Sequence, residues 1–235
     1  MSEDTKKIIE EVKLDINEMS EAGLHFGHKV SRLHPKMKPF VSGIKNNVNI
    51  FDLEKTTKEF AKALKFISNQ VALKKTILIV GTKIQLKAIV RETAEECGLP
   101  YVAERWLGGT FTNFETILKR VEYFKDLEKK RASGEFEKYT KKERMKLDKE
   151  IAILKTKFEG IKNMSKLPDL VLILDLKKDE AAAREAKIKG IKIVGVTDTN
   201  VNPTMADYPI PANDDAITSI RYILSKVKEA VLNAK

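Results

Sequence analysis

The 235-residue sequence has one cysteine, Cys97, one tryptophan and three histidines. A single cysteine excludes an intramolecular disulfide and any zinc cluster built from several thiolates. Cys97 lies in "ETAEECGLP" and reads as a small core residue in the last turn of a helix. Long apolar runs are missing too: nothing approaches the roughly 18 residues of a membrane span. The first residues, "MSEDTKKIIEEVKL", are too charged for a signal peptide. The expectation is a soluble, cytoplasmic protein with no membrane partner. Also lacking are G-x-G-x-x-G and G-x-x-x-x-G-K-[ST], the two glycine patterns by which α/β folds commonly seize a nucleotide.

What is present is a core and an excess of positive charge. Hydrophobic residues make up 42% of the chain, enough to rule out global disorder. The net charge is +10 and the isoelectric point about 9.4, so an anionic partner is expected: nucleic acid, an acidic protein or a membrane surface.

The segments "TILIVG" (76–81), "LVLILD" (170–175) and "IKIVGV" (191–196) are almost unbroken Val, Ile and Leu, as strands covered on both faces must be. "NVNIFD" (47–52) is a weaker fourth candidate. Helical patterns alternate with them: "LEKTTKEFAKALKFISNQVA", "IQLKAIVRETAEEC", "KDEAAAREAKIKG" and "DAITSIRYILSKVKEAVL". In the first, Phe60, Ala63, Leu64 and Ile67 share a face. Gly190 stands where a helix should be capped before the next strand. Alternation of this kind predicts a parallel sheet with helices on both faces, a doubly wound α/β fold.

Residues 115 to about 163 interrupt the pattern. Phe114, Ile117, Val121 and Phe124 form one a/d-spaced seam; Leu147, Ile151, Leu154, Phe158 and Ile161 form another. Gly134 breaks the chain between them, and Thr140 with Glu143 three residues later reads as a capping box. This predicts an antiparallel helical hairpin inserted between strands, holding fifteen Lys or Arg against ten Asp or Glu. A solvated charged coil explains that charge as well as a binding arm does.

The strongest charge signal is "GLHFGHKVSRLHPKMKPFVSGIKN" (23–46), with Lys29, Arg32, Lys36, Lys38 and Lys45 and no acid. Pro35 and Pro39 deny it a long helix, so an extended basic loop suited to phosphates is expected. All three histidines, His25, His28 and His34, fall here. His25 and His28, with Asp198 or Asp175, are weak candidates for a metal site, since no third ligand is defined. "VTDTNVNP" and the strand-ending Asp175 and Asp198 read best as turn and capping residues. Gly81, Thr82 and Lys83 end the first strong strand and can meet a phosphate, including one from RNA. In "ERWLGGTFTNFET" (104–116), Gly108 and Gly109 follow only a short strand candidate, "YVAE". They precede a helix that leaves the sheet, so they read as a sharp bend with Arg105 and Trp106 at its corner.

Several stretches together resemble one family, the bacterial ribosomal small-subunit protein two. They are "GLHFGH", "HPKMKPF", "NIFDLEKT", "VGTK", "RWLGGTFTNF", "LPDLVLILD", and "VTDTNVNP" through "YPIPANDDAI", all in order over nearly the whole chain. The resemblance implies a flavodoxin-like or Rossmann-like core, 1–104 and 164–235, with an inserted coiled-coil hairpin, 105–163. It implies a ribosome-bound structural role without catalysis or cofactor. It further implies contact with 16S ribosomal RNA near the head–body junction, a place close to the messenger exit, and help in docking small-subunit protein one. The matched motifs put RNA contacts in the basic loop and at the hairpin base. The motif match does not fix which side chains touch phosphate; taken with the charge reading, the candidate set is Lys29, Arg32, Lys36, Lys38, Lys45, Lys83, Arg105, Trp106, Lys119 and Arg120. Many members continue into an acidic tail, whereas this sequence stops at "VLNAK", which puts tail-mediated contacts in doubt. The competing expectation is a Rossmann-like nucleotide-binding enzyme with a basic accessory hairpin.

Overall fold

The computed structural model describes residues 14–235. The charged N-terminal stretch, but for Leu14, lies outside them. In chain order the elements are α1 (Ile16–Glu21), β1 (Phe26–Lys29), β2 (Val41–Lys45), β3 (Val48–Phe51), α2 (Leu53–Ala72), β4 (Ile77–Val80), α3 (Lys87–Cys97) and β5 (Tyr101–Val102). They continue with α4 (Phe114–Ala132), α5 (Lys141–Phe158), β6 (Leu170–Ile173), α6 (Glu180–Ile188), β7 (Lys192–Thr197), β8 (Tyr208–Pro211) and α7 (Ile217–Asn233). Five strands form a wholly parallel sheet in the order β5-β4-β6-β7-β8. Counted from β4, that is the 2-1-3-4-5 order of a flavodoxin-like sheet.

Alternation along each strand sorts the core into two layers. Ile77, Ile79, Leu170, Leu172, Val194 and Val196 face α2, α3 and α7, where Phe60, Leu64, Ile67, Val90, Ile223 and Val227 are buried. Leu78, Val80, Val171, Ile173 and Ile193 face the other way, towards Ala182, Ala183 and Ala186 of α6 and the apolar sides of α4 and α5. Strands β4 and β6 are buried at every position, which is why their sequences show no polar alternation. Cys97 is buried in the last turn of α3, as its neighbours predicted.

Two expectations need correction. "NVNIFD" is a strand, but not of the parallel sheet: β3 is the centre of a separate antiparallel sheet ordered β1-β3-β2. Its Ile50 and Val48 are only half-buried, so it lacks the fully covered environment of β4 and β6. The segment 23–46 is accordingly not an irregular loop. It supplies β1 and β2, with Pro35 and Pro39 in a 3-10 turn, Pro35–Phe40, between them. Strand β8, "YPIP", was not anticipated because Pro209 and Pro211 argue against a strand. It sits at the sheet edge, where the missing N–H groups cost no ladder bond on the open side.

Helices α4 and α5 lie in the chain between β5 and β6. Gly134, at φ +76°, ends the first, and the Thr140–Glu143 capping box opens the second. Val121, Phe124, Leu127, Ile151, Phe158 and Ile161 are buried. Tyr123 donates to Glu150 at 3.1 Å and Arg131 pairs with Asp148 at 3.2 Å across the two helices.

Candidate nucleic-acid interface

The antiparallel sheet β1-β3-β2 is fastened to the carboxyl ends of the parallel strands, where an open α/β sheet would ordinarily bind a ligand. Thr199, just past β7, is the fastening point. Its hydroxyl accepts from His28 N–H at 2.9 Å, and its carbonyl accepts from His34 N–H at 2.7 Å. Gly27 lets the two backbones close in: a Cβ there would meet the Thr199 methyl at 2.5 Å. Asn213 N–H donates to the Leu24 carbonyl at 3.1 Å, and Asn49, fully buried, donates to the His28 carbonyl at 2.9 Å.

Beneath this joint lies an ion network. Lys83, after β4, places its ammonium 2.9 Å from Asp175 after β6, 2.7 Å from Asp214 and 2.8 Å from Asp215, both after β8. His28 Nδ1 lies 3.1 Å from Asp198 and its Nε2 3.5 Å from Asp215. Burial disfavours the Lys83 ammonium, yet the surrounding carboxylates outweigh it and raise its pKa. Burial, with the Asp175 and Asp198 charges, pushes the Asp214 carboxyl up to about 7 despite its contact with Lys83. The hydrogen bond to Asp198 raises His28 against a smaller opposing effect of burial. Asp175 also accepts from the backbone N–H of Lys177 and Lys178 at 2.8 Å, the turn role its sequence context suggested.

The topological switch point of a 2-1-3-4-5 sheet falls between its first and third strands, here between the ends of β4 and β6. Lys83 and Asp175 bridge that gap directly, so the crevice in which a nucleotide would sit is closed by the chain's own side chains. Lys83 thus serves the interior and is not among the cations offered outward. Among the described residues no group of three or more His, Cys, Asp or Glu is arranged to hold a metal. His25 packs its ring on Phe26 at 4.0 Å, and among the described residues its Nδ1 has no hydrogen-bond partner, while His28 and Asp198 are paired with each other.

Above the network the chain turns outward. Lys29, Arg32, Lys36, Lys38 and Lys45 are all exposed, and among the described residues none forms an ion pair. His34 caps the 3-10 turn that holds Lys36 and Lys38, its Nδ1 accepting from Lys36 N–H at 3.2 Å. Arg105, Lys119 and Arg120 are exposed too. Trp106 is not. It is 8% exposed, meets Phe111 edge-on at 4.8 Å, and donates its indole N–H to Glu185 at 3.1 Å. Its ring is part of the core and unavailable for stacking on a base.

Glu185, on α6, explains the glycine pair. Its carboxylate also accepts from the backbone N–H groups of Gly109 (2.9 Å), Phe111 (2.9 Å) and Thr112 (3.1 Å), and from the Thr112 hydroxyl (3.1 Å). The bend wraps an internal carboxylate in the way a phosphate cradle wraps a ligand. Gly109 has φ +90°, which requires glycine, whereas Gly108 has open space around it. Burial alone would raise the Glu185 pKa; the hydrogen bonds from Thr112, Trp106, Phe111 and Gly109 outweigh it and hold the carboxyl below its usual range. Thr199, Asp214 and Glu185 were not read from the sequence as organising residues. The only signal was their place in polar runs just after strands or on an alanine-rich helix.

Fold and site together define a basic α/β scaffold protein whose ligand crevice is internally filled and whose cations are displayed on an added antiparallel sheet. The family model described as ribosomal protein S2 matches residues 19–234. A protein of Coprothermobacter proteolyticus named small ribosomal subunit protein uS2 is 44% identical over 220 residues, covering 94% of this chain and 82% of the relative. Proteins of the same name from Roseiflexus sp. (46% over 215 residues; 92% and 82%) and Dehalococcoides mccartyi (43% over 221 residues; 94% and 90%) are similarly close. The chain belongs to the ribosomal protein S2 family, and is therefore a structural, non-enzymatic component of the small ribosomal subunit. No helix of the described residues is long and apolar enough to cross a membrane.

Proposed function

We propose that this chain binds 16S ribosomal RNA through the exposed cations of the β1-β3-β2 sheet, Lys29, Arg32, Lys36, Lys38 and Lys45, with Arg105, Lys119 and Arg120 as flanking contacts. The observation that carries the reading is the combination, in one segment pinned to the core, of no acid and five exposed cations that form no ion pair among the described residues. Pinning matters because phosphate contacts fix register and orientation only when their carriers are themselves fixed. The molecule works as a scaffold in the cytoplasm: shape and charge position rRNA, and no cofactor is required. In keeping with the family resemblance, we place it near the head–body junction, close to the messenger exit. There it supports assembly and the docking of small-subunit protein one, with 105–163 as a coiled-coil arm set on a core of 1–104 and 164–235.

The test is sedimentation of tagged parent and Lys36→Glu/Lys38→Glu protein through gradients at low and moderate salt, with binding to a 16S rRNA transcript measured alongside. Each lost phosphate contact should flatten the log–log salt dependence by about 0.7 to 0.9, so the double variant should lose at least about 1.4. A variant with the parent's slope would show that these lysines face no phosphate, and parent protein sedimenting free of the small subunit would sink the reading altogether.

A further inference from the structure

We propose that the cavity between the end of α3 and the chain leaving α5 binds an organic cation on an aliphatic stem, an alkyl guanidinium or alkyl ammonium group. The site stands apart from the β1-β3-β2 sheet and does not depend on RNA being met there.

The cavity has a volume of about 380 Å³ and lies at the amino ends of β4 and β5, the opposite end of the sheet from the filled crevice. That is room for one ligand of side-chain size. Leu99, Pro100 and Met164 supply apolar wall, and Glu95 and Glu159 supply charge. Such a lining suits a hydrocarbon stem with a cationic head, as when Lys and Arg lay their stems along apolar surface and leave the charged end free. The wall is also rigid. Gly160 is pressed so closely against β5 that a Cβ would meet the Tyr101 carbonyl at 2.2 Å. The chain leaving α5 is thus held at a fixed distance from the core, and little need be ordered on binding.

Charge selects a cation. In a chain of net charge +10 these two carboxylates form no ion pair among the described residues. Glu95 accepts from the Tyr101 hydroxyl at 3.3 Å, and that hydroxyl accepts in turn from Arg91 Nε at 3.1 Å. One carboxylate oxygen of Glu159 is closed off from water and has no hydrogen-bond partner among the described residues. A charged acceptor in that state is costly to the folded chain, and a donor brought from outside relieves it. The cations nearby are engaged elsewhere: Lys166, also in the lining, lies 4.0 Å from Asp169, Lys228 pairs with Glu96, and Lys235 donates to the Cys97 carbonyl. A guanidinium or ammonium head supplies donor and charge together, which a neutral ligand does not.

Two sources carry this chemistry, a free amine or guanidine in solution and the Lys or Arg side chain of a neighbouring small-subunit protein. They separate by release of the protein from small subunits across a salt gradient. Replacing Glu95 and Glu159 by Gln removes negative charge, which does not weaken a contact with RNA phosphates. Earlier release of that double variant than of the parent therefore identifies the cation as a neighbour's side chain, and release together with the parent identifies it as a free molecule.

The site itself is tested by titrating the nitrogen-15-labelled full-length protein with butylguanidinium, butylammonium and their neutral analogue butylurea, followed by amide NMR shifts. Both cations should move the amides of Gly98, Gly160, Asn163 and Ser165, with a Kd on the order of 1 mM. Butylurea should leave them in place. The Glu95→Gln/Glu159→Gln variant should bind the cations about tenfold more weakly or worse, the loss expected when charge-assisted hydrogen bonds are removed. Glu92→Gln, on the same helix but outside the lining, should bind as the parent does. Absence of shifts at the cavity with either cation, equal shifts with butylurea, or undiminished binding by the double variant overturns the proposal. The comparison of cation with butylurea on the parent decides even where the double variant folds poorly.

Discussion

Replacing Glu185 by Ala removes the acceptor of five hydrogen bonds: from Trp106, Gly109, Phe111, and both the amide and hydroxyl of Thr112. The donors differ in what they lose. Thr112 is exposed and Gly109 half-buried, so water replaces the carboxylate there at small cost. Trp106 Nε1 and Phe111 N–H belong to buried residues, and each buried donor left unsatisfied costs about 1–3 kcal/mol. Alanine regains a few tenths of a kcal/mol of helix propensity in α6. The net expectation is a loss of about 3–4 kcal/mol, a large share of the roughly 5–15 kcal/mol that holds a domain together. Urea unfolding followed by fluorescence reads this directly, because Trp106 is the only tryptophan. The variant should unfold at lower urea, and its native emission should shift to the red as the corner opens. The parent should show the linked pH effect. The folded Glu185 pKa is depressed below an unfolded value near 4.5, so its stabilisation is complete above that value and lost as pH falls through the folded one. The Ala variant should lack that acid-side decline. A loss under about 1 kcal/mol, with unshifted emission, would show that the bend does not depend on this carboxylate.

Gly109→Val should destabilise by about 1–2 kcal/mol or more because a β-branched residue must take φ +90°, whereas Gly108→Val, with open space around it, should melt within a degree or two of the parent. Lys83→Met should cost about 3–5 kcal/mol by stranding buried carboxylates. Since the Asp214 pKa is raised towards 7, that loss should be larger at pH 8 than at pH 5, where the carboxyl is protonated; a loss independent of pH in urea melts would contradict the network. For His28→Gln, the stability gap to the parent should be fully present below about pH 6.5 and shrink as pH rises through the raised folded pKa. A gap that grew with pH would mean the Asp198 contact does not hold the charged imidazole.

The layered core was legible because its signals are local. Unbroken Val, Ile and Leu in β4 and β6, 3.6-residue spacing in α2, and the Thr140–Glu143 cap each say one thing whatever surrounds them. The antiparallel sheet was not, because Val48 to Phe51 look alike whether they extend a parallel sheet or found a new one; register depends on β1 and β2, which the basic composition of 23–46 concealed. Strand β8 hid behind Pro209 and Pro211, residues compatible with a strand only at an edge, and edges are a property of the whole sheet. At the site, the exposed cations were legible from charge density alone. Trp106 and Lys83 were read as anion contacts because a ring and an ammonium look the same in sequence wherever they point. Their actual partners, Glu185 and the Asp175–Asp214–Asp215 group, lie from 79 to 132 residues away in the chain, a separation no motif encodes.

The filled crevice bears on how such a sheet serves a role without chemistry. Carboxyl ends of parallel strands gather helix amino termini and polar loops, so an α/β sheet makes a ligand site there almost by construction. Here the same features are turned inward. Lys83 stands in for a bound cation, the Glu185 carboxylate for a bound anion, and β1-β3-β2 covers the end through Thr199. Each internal partner is tethered to the chain, so no ligand must be captured before the surface above is rigid. That rigidity is what the proposed phosphate recognition by Lys29 to Lys45 would draw on, since every side chain ordered on binding subtracts from the affinity it supplies. Adding mono- or dinucleotides should therefore leave the melting temperature of the parent unchanged. A rise on adding any of them would mean that the Lys83–Asp175 bridge opens, and that the crevice retains a binding function beneath the scaffold.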